Sequence, residues 1–357
     1  MKNKSKNNKI IFYLINITVI VLVSWMSIFS IIKENGMETF SYIKNISVIS
    51  LLILTFIFFL NYFMEGIVIA TALKEYKSDF TPSQGFVIQS IGGLFSAITP
   101  MKIGYLPSIG YAYSRFNVKG IDVIKSMVKT TYTFQIFNFI INLISLMVCC
   151  YKEMIITVAD ANLNLKYIAI VGIIYNGIIM FGYFLLILSP KIHEVSIKLA
   201  SWLLYKIKKI DNRSEFESAK IEKMAITRNE IKHFLKDIKQ FSKLLGLYTL
   251  KYFIYGSLPY VIFLLLSKEN FNIEIWLYTL VLRNLISYIT SIVPIPGASG
   301  AAELAFVATF SLVFSPEPLL NSIMLLWRMF TYFMNIIIGF ATFLILSNVK
   351  KRAKSNN

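Results

Sequence analysis

Six ionisable side chains stand inside otherwise apolar stretches of this sequence: Glu65, Lys102, Lys251, Arg283, Glu303 and Arg328. At bilayer depth such a group costs about 2.5–3.5 kcal/mol on insertion scales, so each is expected to face a partner charge or a water-filled cavity. Lys102 and Arg283 stand beside or inside two interruptions rich in Pro and Gly. Cations there, with the N–H groups of half-helix N-termini added, are what a phosphate would require. Glu303 directly follows the second interruption and Arg328 lies about a third of the way along the last apolar run. They are a candidate pair, with two roles open: an ion pair that fixes helix packing, or a contact to a polar headgroup. Lys251, one or two turns inside its run, is expected to snorkel to the interface.

Enzyme signals are missing from the same regions. His193 and His233 both fall in a charged segment, no Ser-His-Asp or Cys-His set lies in the apolar runs, and neither a Gly-rich phosphate loop nor metal-ligand spacing occurs. The adjacent Cys149 and Cys150 suggest neither a disulfide framework nor a zinc site. No catalytic residue, metal or cofactor is expected.

The elements that must hold these charges are membrane helices. Of 357 residues 56% are hydrophobic and only 15% charged, too apolar for a soluble protein to cover its surface. Hydrophobic runs occupy 10–32, 46–73, 85–114, 126–150, 167–189, 244–267, 275–314 and 319–346. The first follows Lys2, Lys4, Lys6 and Lys9, but it is too long for a signal core and lacks a small-residue cleavage pattern, so it reads as a retained span. Six runs read as plain spanning helices of the required length of about 20 residues. The third and seventh contain Thr99-Pro100-Met101-Lys102-Ile103-Gly104 and Pro294-Ile295-Pro296-Gly297-Ala298-Ser299-Gly300, which a continuous helix tolerates badly. They read as broken or re-entrant helices, with Pro107 closing the first break region.

The net charge of +17 then becomes an orientation signal. If both broken helices enter and return on their own side, 27 Lys or Arg fall in cytoplasmic segments and five outside: Lys33, Lys44, Lys152, Lys166 and Lys268. The expected fold is an all-α polytopic membrane protein, with about six spanning helices and two re-entrant hairpins entering from opposite faces. Residues 1–189 form the N-terminal membrane half, with its break near 99–107. A cytoplasmic basic amphipathic linker over 190–243 includes Ile221, Met224, Ile231, Phe234, Leu235 and Ile238, and suits either anionic lipid or plain solvent. Residues 244–347 form the C-terminal half, with its break near 294–303, and 348–357 a basic cytoplasmic tail. Composition points to a bacterial plasma membrane with both termini cytoplasmic. Broken helices end in unpaired backbone groups, tolerable at depth only where protein or a cavity receives them, so the two breaks are the expected site.

At these breaks the chain resembles the lysylphosphatidylglycerol synthase transmembrane family, the flippase-like membrane part of multiple peptide resistance factor. Pro-Ile-Pro-Gly-Ala-Ser-Gly-Ala-Ala-Glu at 294–303, then Leu326-Trp327-Arg328-Met329-Phe330-Thr331-Tyr332 and Gly339, look like that family's Pro-Gly-x-x-Gly-x-x-Glu stretch with its later Arg and Tyr. Thr99-Pro100, Gly104, Pro107 and Tyr111 look like its first motif. One departure stands out: Tyr105 and Leu106 occupy positions where the family often has Gly and Gln.

The resemblance implies a protein that binds or flips phospholipid, aminoacylated lipid such as lysyl-phosphatidylglycerol included. Lys102, Arg283, Glu303, Arg328 and Tyr332 would lie near the lipid, and Pro100, Gly104, Pro107, Pro294, Pro296, Gly297 and Gly300 would shape the breaks. The complete proteins of that family also carry a cytoplasmic domain that transfers lysine from lysyl-tRNA to phosphatidylglycerol, and that domain is not among these residues. Two alternatives stay open. One is a phosphatidylglycerol lysyltransferase or its membrane subunit, contributing to cationic peptide resistance; the other is a transporter of another amphipathic or polyprenyl-linked solute. Expected partners are membrane phospholipid and a separate synthase or a second copy of the chain, with no nucleic acid unless lysyl-tRNA under the enzyme alternative.

Overall fold

The computed structural model describes residues 36–158, 161–206 and 212–355, almost all of them helical. In chain order the helices are α1 (Gly36–Lys44), α2 (Val48–Leu73), α3 (Pro82–Ile98), α4 (Tyr105–Arg115), α5 (Gly120–Tyr151), α6 (Leu165–Leu188), α7 (Pro190–Lys206) and α8 (Arg213–Lys236). There follow α9 (Ile238–Gly256), α10 (Leu258–Ser267), α11 (Ile273–Ile292), α12 (Ala301–Phe310), α13 (Glu317–Arg328) and α14 (Met334–Ser355).

Among the described residues five helical stretches are long and apolar enough to cross a bilayer: Val48–Leu73, Gly120–Tyr151, Leu165–Gly182, Ile238–Ser267 and Glu317–Asn348. They coincide with five of the six runs expected to span; the sixth, 10–32, lies outside the described residues. Their outer faces are apolar, as on α2, where Val48, Ile49, Leu52 and Phe56 are exposed while Leu54, Phe58 and Tyr62 are buried inward. A helix greasy outside and packed inside is one solvated by lipid.

Two of these spans are not plain helices. α9 gives way to α10 at Ser257, where Pro259 supplies no N–H, and Gly256 lies so close to Leu280 that a Cβ would stand 2.9 Å from Leu280 Cδ2. Between α13 and α14 the chain widens into a π-helical turn over Met329–Phe333, immediately after Arg328. π-turns of this kind often mark functional positions. A two-stranded antiparallel pair, β1 (Ile155–Val158) with β2 (Ala161–Asn164), is the one sheet among the described residues.

Both broken helices are hairpins. α3 is started by a capping box, Thr81 accepting from the Gln84 N–H and Gln84 accepting from the Thr81 N–H, with Pro82 in the first turn. It returns as α4, so tightly that a Cβ on Gly92 would stand 2.6 Å from the Tyr105 ring. α11 likewise returns as α12.

The faces from which they enter follow from the charged clusters at the bundle's ends. At one end Lys129 of α5 meets Glu75 after α2, Glu230 of α8 and Gln240 of α9, and α3 starts from this end. At the other end Lys152, just past α5, meets Glu274 at the start of α11. The hairpins therefore come in from opposite faces, and their tips, Pro100–Lys102 and Pro296–Ala298, touch within the bundle.

α7 and α8 occupy the basic linker. α8 is docked on the bundle: Phe234 is buried against Phe241, Leu244 and Tyr248, whereas Leu235 and Ile238 remain exposed.

Candidate functional site

The first tip is built by Thr99. Its hydroxyl donates to the Phe95 carbonyl and accepts from the Gly104 N–H at 2.9 Å, closing the break over five residues. A side chain at 104 would put its Cβ 2.8 Å from the Phe95 carbonyl oxygen and 2.8 Å from Thr99 Cγ2, so only glycine admits this bridge. Between them Met101 and Lys102 take positive φ, 49° and 58°. Pro100 opens the tip and Pro107 lies in the first turn of α4. Tyr105, one of the residues departing from the family pattern, lies over Gly92 and donates to Gln89 Oε1 at 3.1 Å.

The second tip is built around Arg328 and Glu303. Arg328 Nε donates to Glu303 Oε1 at 2.8 Å, and Glu303 Oε2 accepts the Gly300 N–H at 2.8 Å. The other two guanidinium nitrogens reach the Gly297 carbonyl at 3.3 Å, and Nη2 also meets Ser299 Oγ at 3.3 Å. Glu303 is 1% exposed and Arg328 5%. The candidate pair is therefore formed, and it ties three residues of the break to the helix 25 positions further on. Tyr332 completes the arrangement: its ring faces the Arg328 guanidinium at 4.5 Å and lies against Gly297. Gly297 has φ +61°, and a Cβ there would stand 2.1 Å from Tyr332 Cε2. Pro294 follows the end of α11, Pro296 starts the tip and Gly300 leaves it at φ +88°.

Lys251 does not snorkel. It is ion-paired with Glu65 across α9 and α2, because a carboxylate at matching depth offers more than a stretched lysine would find at the interface.

Between the tips lies a cavity of about 580 Å³, bordered by Lys102, Lys251, Arg283 and Arg328 and, among the described residues, by no Asp or Glu. Lys251 and Arg328 are neutralised by Glu65 and Glu303. Lys102 and Arg283 have no carboxylate partner among the described residues, and both border this cavity. Arg283 lies against the face of Tyr255, 5.6 Å from its guanidinium carbon. Two like charges bordering one cavity repel unless an anion joins them.

The uncharged polar residues of the wall are a feature that counting ionisable groups misses. Asn176 donates to Gln135 Oε1 at 2.8 Å, Asn284 donates to Asn142 Oδ1 at 2.9 Å and to Ser145 Oγ at 3.0 Å, and Tyr62 donates to Asn335. Asn61 Oδ1 and Asn176 Oδ1 are buried acceptors without a partner. Amides within apolar runs, such as Asn61 and Asn176, were the available signal. No cluster of His, Cys, Asp or Glu that could hold a metal occurs among the described residues.

The family model described as lysylphosphatidylglycerol synthase TM region matches residues 13–339 of the chain. No curated protein matches it.

Proposed function

The chain belongs to the lysylphosphatidylglycerol synthase transmembrane family, and from that premise we propose that it receives the headgroup of a phospholipid in the cavity between its two broken helices and moves the lipid between leaflets. One observation carries the reading: Lys102 and Arg283, contributed by opposite halves, face a single cavity without a counter-ion. A phosphate entering there gains two charge-assisted contacts and relieves their repulsion. Arg328, Glu303 and Tyr332 hold the second tip in the shape that presents Arg283 and the cavity wall. The hairpins enter from opposite faces, a layout in which movement of one membrane half against the other would expose a central site to each leaflet in turn.

The basic loops set the orientation, with both termini cytoplasmic in a bacterial plasma membrane. Lipid is the principal partner, and a separate synthase that aminoacylates it is a second.

The test is lipid translocation in proteoliposomes containing the purified chain, read as the rate at which fluorescent phospholipid becomes accessible to an external quencher. Lys102→Gln and Arg283→Gln should each slow it by about tenfold or more, the effect of losing one charge-assisted phosphate contact. Equal rates in protein-free vesicles, wild type and both variants would remove this function. Production of lysyl-phosphatidylglycerol by the chain alone would establish the transferase instead.

A further inference from the structure

Away from the cavity, we propose that α7 is an in-plane interfacial helix, which lays its outer face into the leaflet on the side of the basic linker and holds anionic phospholipid headgroups with its lysines. Its placement starts at Ser189, the one residue between it and the spanning helix α6. Ser189 is extended, as the residue before a proline prefers, and its hydroxyl accepts the Ile192 N–H, so one helix ends there and the next begins capped. On α6 itself Ile174, Ile178 and Phe181 are exposed, so α7 begins where a lipid-facing helix leaves the bilayer.

α7 has two sides, and the described residues cover only one. The inner side packs on α8: Ile197 and Ser201 are buried, and Ser201 donates to Glu217, which Arg213 also holds at 3.2 Å. α8 is in turn fixed to the bundle by Phe234 and by the ion pair of Glu230 with Lys129, which keeps α7 from turning its other side inward. On that other side Ile192, Val195, Leu199, Trp202 and Leu203 recur at helical spacing as one apolar stripe. All five are exposed, Val195 by 65% and Leu199 by 58%.

The rim of the stripe identifies its occupant. Lys191 and Lys198 flank it, Lys206 lies at its last turn, and Glu194 is the one carboxylate of the helix. Lys206 Nζ stands 5.1 Å from the centre of the Trp202 ring, which brings a cation and an aromatic side chain together at the edge of the stripe. An apolar stripe carrying tryptophan and rimmed by lysines matches a leaflet with anionic headgroups: the apolar side chains enter the acyl boundary, the indole sits at headgroup level and the ammonium groups reach the phosphates.

The test is quenching of a fluorophore on the full-length chain in vesicles of phosphatidylcholine and phosphatidylglycerol, with Cys149→Ala and Cys150→Ala removing the native thiols. A label at Leu199→Cys should be quenched by lipid carrying a nitroxide near its headgroup and spared by aqueous acrylamide. A label at Glu194→Cys, off the stripe, should show the reverse. At equal mole fraction nitroxide phosphatidylglycerol should quench the Leu199→Cys label about fivefold more strongly than nitroxide phosphatidylcholine, the weight of one lysine beside an anionic surface. Lys191→Gln, Lys198→Gln and Lys206→Gln together should abolish that excess and leave the quenching by nitroxide phosphatidylcholine. If Leu199→Cys disturbs folding, Val195→Cys reads the same stripe.

Quenching of the Leu199→Cys label by acrylamide and not by lipid would place the stripe in water and overturn the proposal. Shielding from both quenchers would mean that protein covers the stripe, a further segment of the chain or a second copy, and overturns it equally. Equal quenching by the two nitroxide lipids overturns the recognition of anionic headgroups. None of these results bears on the cavity, since no described residue of α7 lines it.

Discussion

Removing one member of the Arg328–Glu303 pair should destabilise the second tip far more than removing both. Glu303→Gln keeps an oxygen for the Gly300 N–H but strips the charge opposing a guanidinium that is 5% exposed. Arg328→Gln strands a carboxylate that is 1% exposed and also releases the Gly297 carbonyl and Ser299. Breaking a buried pair by deleting one partner costs about 3–5 kcal/mol, because the survivor is left uncompensated. Arg328→Gln should sit at the upper end of that range, having more contacts to lose. The double variant leaves no orphan charge and should cost less than either single, so the coupling between the two should exceed about 3 kcal/mol in favour of the double. Equilibrium unfolding in mixed micelles, followed by circular dichroism and tryptophan fluorescence, measures all four corners of the cycle. Single variants within about 0.5 kcal/mol of wild type and strictly additive would refute the view that this pair holds the tip.

Gly297→Ala should be destabilising by about 2 kcal/mol or more, combining left-handed backbone strain at φ +61° with the clash on the Tyr332 ring. In a Tyr332→Ala background only the backbone share should remain, and an unchanged cost there would contradict the close approach. At the basic end of the bundle, burial pushes the Glu230 carboxyl up, but the Tyr76 hydroxyl, Lys125 and Lys129 more than offset it and hold it below the ordinary value of 4.5. Docking of α8 therefore gains from this carboxylate at every pH above 4.5 and loses the gain only as the pH falls through its lowered value. Hydrogen exchange over 212–236 should show constant protection from about pH 8 to 5 and a fall below that; loosening between about pH 7 and 5 would contradict the sign. Gly66→Ala should weaken the α2–α3 crossing and lower the unfolding temperature, since its Cβ would stand 2.3 Å from the Pro82 carbonyl oxygen; an unchanged melting curve would show that this crossing can yield.

Much of this architecture is legible in the sequence because a bilayer leaves few choices. Apolar runs had to become helices, and Pro-Gly clusters such as 294–300 could interrupt them only where protein or a cavity receives the freed backbone groups. The pairing of Glu303 with Arg328 is readable for the same reason, since an isolated charge at that depth is too costly. What stayed hidden depends on distance between separate elements. Nothing near Lys251 in sequence announces that Glu65 lies at matching depth on another helix, and the snorkelling expectation fails there. The π-turn after Arg328 has no residue signature comparable with proline; it arises where Tyr332 must lie against Gly297 and still face the guanidinium. The docking of α8 is hidden for a third reason. Lys129 is 1% exposed although it lies only ten residues into α5, because Glu75, Glu230 and Gln240 from three other segments converge on it. The acid-free wall is likewise a property of many helices together.

The most direct test of the central claim is peptide mapping of a phosphatidylglycerol carrying a photoreactive group on its headgroup, crosslinked to the purified chain in vesicles. Labels are expected to concentrate on peptides containing Lys102, Arg283 and Asn176, and to fall sharply when unlabelled phosphatidylglycerol is added in excess. Labels confined to the lipid-facing residues of α2, such as Ile49, Leu52 and Phe56, with the cavity peptides unmarked, would contradict a headgroup site between the broken helices.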